Sequence, residues 1–510
     1  MFTVSLTVVL GLVVSTRVVS AAPTWADEHL KVNTSSGELH GIVNGTTPGV
    51  RQFLGVPFAQ PPVGELRWLP PVALPNNLTG TFVDATKFSL NCPQYESTSP
   101  SVYNKVVREY FIQGPSGEDC LTLSVWAPAN PTYQKLPVFI WLYGGGLQTG
   151  GSSVPYQDPA QWVQRTQSHI VVSVQYRLNI FGFPNAKGLP AQNLGYYDQR
   201  LGVEWIQANI AAFGGDSKKM VLWGQSAGAS STDAYNYAYP DDPIVSGIIC
   251  DSGSSDRPGG TDVGQTNFTS FAAHFNCSGP TMLTCMHNVS ATDIIDYLAE
   301  YQDSGTLPAI SFVAIADSVT AFSNYTERLI AGNYSKVPAI YGFNDIDGTT
   351  LISMPTVWKY LVPLNSTIAI EETLPPPNNT AAVIEFTNSQ HCPVVATSDF
   401  RTQGGRITYR YQYQGNWTNI SPLDWMGAYH SSELPMIFGT NGDFRGPSTQ
   451  FEKHTSRKMQ DLWLAFANDP AHGVEKLGWA NVTSGYVNAF GANNQTARLI
   501  SAATLDAPCL

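Results

Sequence analysis

The chain carries few charged side chains. Asp, Glu, Lys and Arg make up 13% of its 510 residues, about half of the roughly 25% that is usual for globular proteins. The 27 basic residues are outnumbered by 39 acidic residues, which gives a formal net charge of −12. No cluster of Lys or Arg offsets this excess, so the sequence argues against nucleic acid as a partner.

Long apolar runs are also absent, except at the N-terminus. Residues 1–21 form an apolar stretch of signal-peptide length that ends in small residues. We expect cleavage after Ala21 and a secreted, extracellular protein. A membrane anchor is the alternative, but the run is short for one, Arg17 interrupts it and Pro23 follows. No later segment has membrane-spanning length, so we expect no membrane span.

Cysteine is scarce and is not arranged for metal binding. The seven cysteines show no zinc-finger spacing with histidine, so we expect no metal site. An oxidising compartment would pair most of them and leave one thiol. Sequons of the type Asn-x-Ser/Thr are dense, which agrees with export and a glycosylated surface. They begin at Asn33, Asn44, Asn77, Asn267, Asn276, Asn288, Asn324, Asn333, Asn365, Asn378, Asn416, Asn419, Asn481 and Asn494.

Apolar runs rich in Val and Ile recur along the chain, without internal repeats or a long linker. A stretch with helical periodicity, 196–215, lies between two of these runs. Continuous apolar strands are typical of a sheet covered on both faces, and alternation with helices favours parallel pairing. The sequence thus predicts one α/β domain over residues 22–510, with a large, mostly parallel central sheet and helices on both faces. The predicted strands lie within 136–145, 169–177, 220–224, 244–253 and 337–344.

One serine stands between glycines at the end of a predicted strand. The segment MVLWGQSAGAS (220–230) contains Gly-x-Ser-x-Gly around Ser226, and a helix can begin directly after it. A sharp strand-to-helix turn needs small neighbours, and it lifts the hydroxyl clear of the sheet at a helix N-terminus. This arrangement is typical of a nucleophilic serine. The motif alone also fits an ordinary turn, and the preceding strand favours the nucleophile.

A glycine-rich segment could stabilise the negative oxygen that forms when a serine attacks a carbonyl group. WLYGGGLQTGG (141–151) includes the end of a predicted strand. Glycine lets backbone N–H groups approach an oxygen without obstruction by a Cβ atom. We predict an oxyanion hole formed by the N–H groups of Gly145, Gly146 and Ala227. The alternative is a flexible loop.

Two long segments resemble the signatures of one enzyme family. FGGDSKKMVLWGQSAG (213–228) is similar to the serine signature of type-B carboxylesterases and lipases, the cholinesterase-like α/β-hydrolases. EDCLTLSVWAP (118–128) is similar to their second signature. The resemblance extends from about Val43 to MQDLWLAFANDP near the C-terminus. It implies the α/β-hydrolase fold and a secreted serine esterase of the fungal type, which hydrolyses small-molecule carboxylic esters and needs no cofactor.

The resemblance also implies a triad of serine, acid and histidine. MGAYHSSELPMIFG (426–439) is similar to the family's histidine motif and selects His430. GFNDIDGTT (342–350) is similar to its acid motif and places the acid at Asp347, where family members usually carry Glu. Asp345 is the second candidate. In this scheme the histidine removes the serine's proton, the acid orients the imidazole, and water hydrolyses the acyl-enzyme.

Two further residues are expected to lie beside the triad. The family usually has Glu directly before the serine, whereas this chain has Gln225. The lost negative charge predicts a weaker preference for cationic substrates and slower acylation. Ser252 is expected near the triad. The segment between Cys92 and Cys120 lacks the tryptophan on which cholinesterases stack a quaternary ammonium, so choline esters are not expected as substrates.

The resemblance implies cross-links and buried ion pairs, with Cys250 left as a buried thiol. The implied disulfides are Cys92–Cys120, Cys277–Cys285 and, as a third, Cys392–Cys509. The implied ion pairs are Arg67–Glu118 and Arg177–Asp198.

The sequence leaves two other functions open besides the esterase. One is a lipase that acts on longer-chain lipid esters, and the other is a non-catalytic adhesion or binding protein of the same family. The presence of all three triad residues and of the oxyanion glycines favours the enzyme. Residues 101–113 have helical apolar spacing and could form a lid or pack on the surface. Leu147 and Phe312 are candidates for the acyl pocket, while the oligomeric state stays open.

Overall fold

An eleven-stranded sheet dominates the fold in the computed structural model, which describes residues 27–75, 78, 80–130, 134–255, 262, 264–351 and 379–510. The predicted signal peptide lies outside these residues. The strands are β1 (Lys31–Thr34), β2 (Gly37–His40), β3 (Ile42–Val43), β4 (Val50–Pro57), β5 (Phe82–Asp84), β6 (Thr122–Pro128), β7 (Leu136–Leu142), β8 (Ile170–Val174), β9 (Gly215–Gln225), β10 (Gly247–Asp251), β11 (Ala339–Asn344), β12 (Thr408–Tyr413), β13 (Tyr486–Ala492) and β14 (Gln495–Ser501).

The large sheet is parallel at its centre and antiparallel at both edges. Its strand order is β14-β13-β12-β11-β10-β9-β7-β8-β6-β4-β3, and every pair from β13 to β8 is parallel. β1, β2 and β5 form a separate small sheet. The predicted strands correspond to β7 to β11. Because β8, β10, β11 and β12 are buried at every position, both faces of the sheet are covered. The predicted fold class is confirmed.

Helices connect most of the parallel strands. The α-helices are α1 (Val102–Lys105), α2 (Ala160–Thr166), α3 (Asn179–Gly182), α4 (Leu194–Asn209), α5 (Ala227–Ala238), α6 (Asn267–His274), α7 (Met282–His287), α8 (Ala291–Asp303), α9 (Tyr325–Ile330), α10 (Thr380–Gln403), α11 (Leu434–Phe438), α12 (Gln450–Asn468) and α13 (Ala502–Leu505). The helix predicted within 196–215 is α4, which continues into a 3-10 turn and then into β9. Among the described helices, none combines the length and apolarity that crossing a bilayer requires.

The implied cross-links and ion pairs are present. All three disulfides form, and Cys250 is a buried thiol on β10. Arg67 donates two hydrogen bonds to Glu118, of 2.6 and 2.7 Å. Arg177 donates likewise to Asp198 of α4, with bonds of 2.8 and 2.7 Å between buried side chains. The second pair fixes the chain after β8 to the start of α4.

One predicted sequon is inaccessible. Asn419 is buried, and its amide donates to the carbonyl oxygen of Asn441 at 2.5 Å and to Glu452 at 3.0 Å. A glycan on this nitrogen is incompatible with the fold, whereas the neighbouring Asn416 is exposed. The sequons at Asn77, Asn365 and Asn378 lie outside the described residues.

An ion cluster attaches the C-terminal segment to the sheet. Arg410 of β12 donates two hydrogen bonds to Asp506, of 2.7 and 2.6 Å, and His391 of α10 lies 3.0 Å from the same carboxylate. Burial alone would raise the pKa of Asp506, but the hydrogen bonds from Arg410 and His391 outweigh it and lower the pKa to about 2. The ionised carboxylate therefore stabilises the folded state, and it holds α10 and the chain end against β12.

We expect Asp506→Asn to destabilise the protein near neutral pH. A carboxyl group whose pKa falls on folding contributes stability above its unfolded pKa, and that stability is lost as the pH falls from about 4 to about 2. The free energy of unfolding should fall by about 2 kcal/mol because the contribution of the ionised carboxylate is lost. It should fall further because the buried Arg410 loses its charged partner. Urea unfolding of both proteins at pH 6 and pH 3 measures the difference, which must shrink at the lower pH.

Asp461→Asn is the matched control for this experiment. Asp461 accepts from Arg165 at 2.7 Å, but half of its side chain is exposed. An exposed pair contributes about 0–1 kcal/mol, so this variant should unfold near the wild-type urea midpoint at both pH values. Equal losses in the two variants would contradict the role of the Asp506 cluster.

Candidate active site

Ser226 lies in a tight turn between β9 and α5. Its backbone is in an unusual conformation, with φ +56° and ψ −122°. A Cβ atom on Gly224 would lie 2.2 Å from the carbonyl oxygen of Gly228, and one on Gly228 would lie 2.0 Å from that of Leu142. Both positions therefore require glycine, because β9, α5 and β7 approach each other too closely for any side chain. The predicted strand, turn and helix are all present.

The predicted oxyanion residues surround this serine. Gly145 and Gly146 follow β7, and Gly145 has φ +112°, a conformation that favours glycine. Gly146 and Ala227 line the same cavity as Ser226. Ala227 is the first residue of α5, so its N–H lies in the helical turn whose N–H groups have no intrahelical acceptor. The end of β7 and the start of α5 thus meet at cavities that Ser226 also lines.

The predicted histidine and acid are hydrogen-bonded to each other. His430 Nδ1 lies 2.8 Å from Asp347 Oδ1, and the Asp347 side chain is completely buried. The other carboxylate oxygen accepts from the backbone N–H of Asn344 at 2.9 Å and from Ser252 Oγ at 3.2 Å. Asp345, the second candidate acid, instead accepts from the side chain of Gln412. The structure therefore pairs His430 with the first candidate, and Ser252 lies beside it as expected.

Gln225 occupies the other side of the imidazole. Its amide nitrogen lies 3.2 Å from His430 Nε2. Because Nδ1 faces a carboxylate and carries the proton, Nε2 is an acceptor and the amide donates to it. Ser226 and His430 line one cavity, but within the described chain Nε2 bonds to Gln225 and not to the Ser226 hydroxyl. In enzymes without substrate, hydrogen bonds of this kind are often long and tighten only in the complex.

Two tyrosines hold the backbone at His430, and neither was assigned a role from the sequence. Tyr103 donates to the carbonyl oxygen of His430 at 2.7 Å, and Tyr110 donates to that of Ser431 at 2.8 Å. Burial raises the pKa of both phenols, so they remain donors. The segment 101–113 therefore packs against the site, with two of its side chains bonded to the backbone at His430 and Ser431. The sequence carries no signal for these contacts, because both phenols bond to backbone carbonyl groups.

Two further buried carboxyl groups lie near the triad, and neither contacts His430. Burial raises the pKa of Asp251 to about 7, although Trp223 and Tyr411 donate to it. Burial also raises the pKa of Glu433 well above its usual value. These groups carry little negative charge at mildly acidic pH, which leaves Asp347 as the carboxylate in contact with the imidazole.

Ser226 lies between two cavities. The smaller cavity, of about 280 Å³, has mainly apolar and aromatic walls with several serines. It is bordered, among others, by Leu147, Tyr196, Ser254, Val313, Phe322 and Tyr325. Phe312, the other predicted acyl-pocket residue, does not line it. Phe312 instead packs against Phe271 in a separate hydrophobic cluster.

The larger cavity, of about 580 Å³, contains His430, and its lining combines amide and hydroxyl groups with the apolar side chains of Phe111, Ile112, Val154, Leu351 and Phe386. Its described lining includes no Asp, Glu, Lys or Arg. The amide and hydroxyl side chains that border it include Gln94, Ser97, Ser101, Asn104, Gln148, Thr149, Gln157, Gln225 and Gln390. The site thus offers a partly buried serine, a histidine–carboxylate pair and walls whose described residues include no carboxylate, Lys or Arg.

Comparisons with known proteins agree with this geometry. The chain matches the model of the carboxylesterase family over residues 28–363 and 372–505. It is 44% identical to chlorogenic acid esterase of Aspergillus niger, over 92% of this chain and 89% of that protein. It is 39% identical to secreted lipase 5 of Gibberella zeae, over 96% of both chains. Identity to acetylcholinesterase of Bungarus fasciatus is 28%, over 94% and 85%.

These matches cover nearly the whole chain and confirm the resemblance drawn from the sequence motifs. The parallel sheet with its covering helices is the α/β-hydrolase fold of this family, and the homologues named esterase and lipase identify the chemistry as ester hydrolysis. The protein is a carboxylic ester hydrolase that belongs to the carboxylesterase family.

Proposed function

We propose that this hydrolase is a secreted serine esterase that forms an acyl-enzyme on Ser226, with His430 as base and Asp347 as the acid that orients it. The observation that carries the proposal is the 2.8 Å bond between His430 and the buried Asp347, at a cavity that Ser226 also lines. Three groups that are far apart in the sequence meet there.

The reaction follows from these positions. Ser226 Oγ attacks the ester carbonyl carbon while His430 Nε2 accepts its proton, and the N–H groups of Gly145, Gly146 and Ala227 bind the resulting oxyanion. Each such donor contributes about 3–4 kcal/mol to the transition state. The imidazolium then protonates the leaving alcohol, and the acyl group stays on the serine. Water, deprotonated by the same imidazole, attacks this ester and releases the acid.

The position of His430 assigns the two cavities. The group that protonates the leaving oxygen must lie on the alcohol side of the scissile bond. His430 lines the larger cavity and does not line the smaller one. The larger cavity therefore receives the alcohol and is named the alcohol cavity. The smaller one receives the acyl group and is named the acyl cavity.

The lining of the alcohol cavity supports a neutral, hydroxyl-rich alcohol. Amide and hydroxyl side chains can donate and accept hydrogen bonds, whereas no described lining residue supplies a carboxylate for a cationic alcohol. This argues against choline esters. A relative is named for chlorogenic acid, and we propose that ester as the first substrate to test.

Action on long-chain lipid esters is the alternative, supported by the relative named a lipase. Rates on nitrophenyl esters of increasing chain length, below and above their solubility limits, separate the two activities. The acyl cavity of about 280 Å³ favours short or ring-shaped acyl groups, so we expect the rate to fall with long alkyl chains.

Secretion is supported by several features taken together. The chain has three disulfides, which persist mainly in oxidising compartments, and one relative is named as secreted. We propose that residues 1–21 are removed on export and that 22–510 form a single hydrolase domain.

We expect Ser226→Ala to lower kcat/KM for chlorogenic acid more than about a thousandfold and to abolish labelling by a fluorophosphonate. Asp347→Asn should lower kcat by a similar factor, since the imidazole loses its orienting carboxylate. Asp345→Asn is the matched control, and it should retain labelling and most of the activity. If Asp345→Asn loses activity and Asp347→Asn keeps it, the acid is wrongly assigned. A folded wild-type protein that the fluorophosphonate does not label would refute the serine mechanism.

We expect Gln225→Glu to move the acidic limb of the kcat/KM profile to higher pH by about one unit. A carboxylate 3.2 Å from Nε2 favours the protonated imidazole, so the active neutral form appears only at higher pH. On the plateau the rate should rise several-fold, because the same charge stabilises the imidazolium formed during acylation.

Gln157→Glu is the control for this charge. Gln157 lines the alcohol cavity, but its side chain accepts from Trp141 and does not contact the imidazole. Its pH profile should stay near that of the wild type. Equal shifts of the acidic limb in the two variants would mean that the added charge acts at long range. An unchanged pH profile of Gln225→Glu would contradict the role assigned to position 225.

We expect the secreted protein to begin at Ala22. Intact mass after enzymatic deglycosylation measures the N-terminus, and deglycosylation in ¹⁸O water marks each occupied sequon. Asn419 should be unmarked because its amide is buried, and the exposed Asn416 serves as the nearby comparison. Cell-associated protein that retains Met1 would contradict the export proposal, and a mark on Asn419 would contradict the local fold.

A further inference from the structure

The loop after β10 carries three serines with different surroundings. Ser252 donates to Asp347 at 3.2 Å. Ser255 donates both its backbone N–H and its hydroxyl to Asp233, at 2.8 and 2.7 Å. Both hydroxyls are therefore used within the protein. Ser254 lies between them in the sequence and lines the acyl cavity instead.

Among the residues that the structure describes, none is a hydrogen-bond partner of the Ser254 hydroxyl. The residue is 1% exposed. A buried hydroxyl without a partner destabilises a protein, because it loses its bonds to water and gains none in return. Such groups require an explanation, and one that borders a substrate cavity is available to bind a substrate.

The remaining walls of the acyl cavity suit a flat apolar body. Val313, Ile315 and the rings of Tyr196, Phe322 and Tyr325 border it. The hydroxyl of Tyr325 accepts a hydrogen bond from the backbone N–H of Phe322 at 3.2 Å. Aromatic walls pack against planar rings in offset or edge-to-face arrangements. An unpaired hydroxyl in such a wall favours a ring that carries a polar substituent.

We infer that Ser254 determines acyl specificity by hydrogen-bonding a hydroxyl group on an aromatic acyl moiety. The inference rests on the proposed acyl-enzyme mechanism and on the assignment of the acyl cavity. Ser254 distinguishes a hydroxylated aromatic acid from its unsubstituted analogue, since only the former satisfies the buried hydroxyl. It takes no part in the chemical step.

The test compares esters that share one alcohol. We measure kcat/KM for methyl cinnamate and for its 3-hydroxy and 4-hydroxy derivatives, with wild type, Ser254→Ala and Ser230→Ala. Ser230 also lines the acyl cavity, but it is only partly buried. Active-site titration with a fluorophosphonate normalises each preparation, so misfolded protein does not enter the rates. Comparison between variants cancels the intrinsic reactivity of each ester.

Ser254→Ala should lower kcat/KM by about tenfold for at least one hydroxylated ester and leave that of methyl cinnamate within about twofold. Ser230→Ala should change all three alike. Two outcomes for Ser254→Ala would overturn the inference. An equal loss of kcat/KM for all three esters would indicate a purely structural serine, and no change for any ester would indicate a serine that does not contact the acyl group. If wild type is labelled but hydrolyses none of these esters, the acyl class is wrong, whereas absence of labelling would instead refute the proposed function.

Discussion

The close approach of three backbone segments at Gly224 and Gly228 is the constraint on which the site depends. A Cβ atom on Gly228 would lie 2.0 Å from the carbonyl oxygen of Leu142, so α5 can pack this closely against the end of β7 only with glycine there. That contact sets the distance between Ser226, at the start of α5, and the glycine segment that follows β7. A larger residue at position 228 would push the helix away and separate the nucleophile from the donors of Gly145 and Gly146.

The same sheet explains why residues so distant in sequence meet. β9, β10 and β11 are neighbours and run parallel, so their carboxyl ends lie at one edge, where ligands bind in sheets of this kind. Ser226 follows β9, Ser252 follows β10 and Asp347 follows β11. Backbone pairing continues one residue past the strand ends. The N–H of Ser226 donates to the carbonyl oxygen of Asp251, and the N–H of Ser252 donates to that of Gly342, each at 2.8 Å. The supporting serine is thereby held in register between nucleophile and acid.

Features encoded locally were predictable, and features that depend on distance across the fold were not. The turn at Ser226 and the five central strands follow from neighbouring residues, whereas His430 and Asp347 could be chosen only through the family resemblance. The contact between Gln225 and Nε2 depends on how the end of β9 meets the loop before α11. Tyr103 bonds to a backbone carbonyl, which any residue type supplies, so no sequence pattern marks it. Strand β12 was missed because its polar positions suggest exposure, although Arg410 is buried against Asp506.

The amide at position 225 and the uncharged described lining of the alcohol cavity have the same consequence: neither supplies a negative charge beside His430. In the proposed mechanism His430 becomes a cation during acylation, and in the described site Asp347 is the carboxylate that contacts it. Neither Asp251 nor Glu433 contacts the imidazole, and burial disfavours charge on both. A cationic alcohol would place a second positive charge beside the imidazolium, and the described lining of the alcohol cavity holds no further carboxylate to compensate it. A neutral alcohol avoids this repulsion, so the lining and the residue before the nucleophile favour the same substrates.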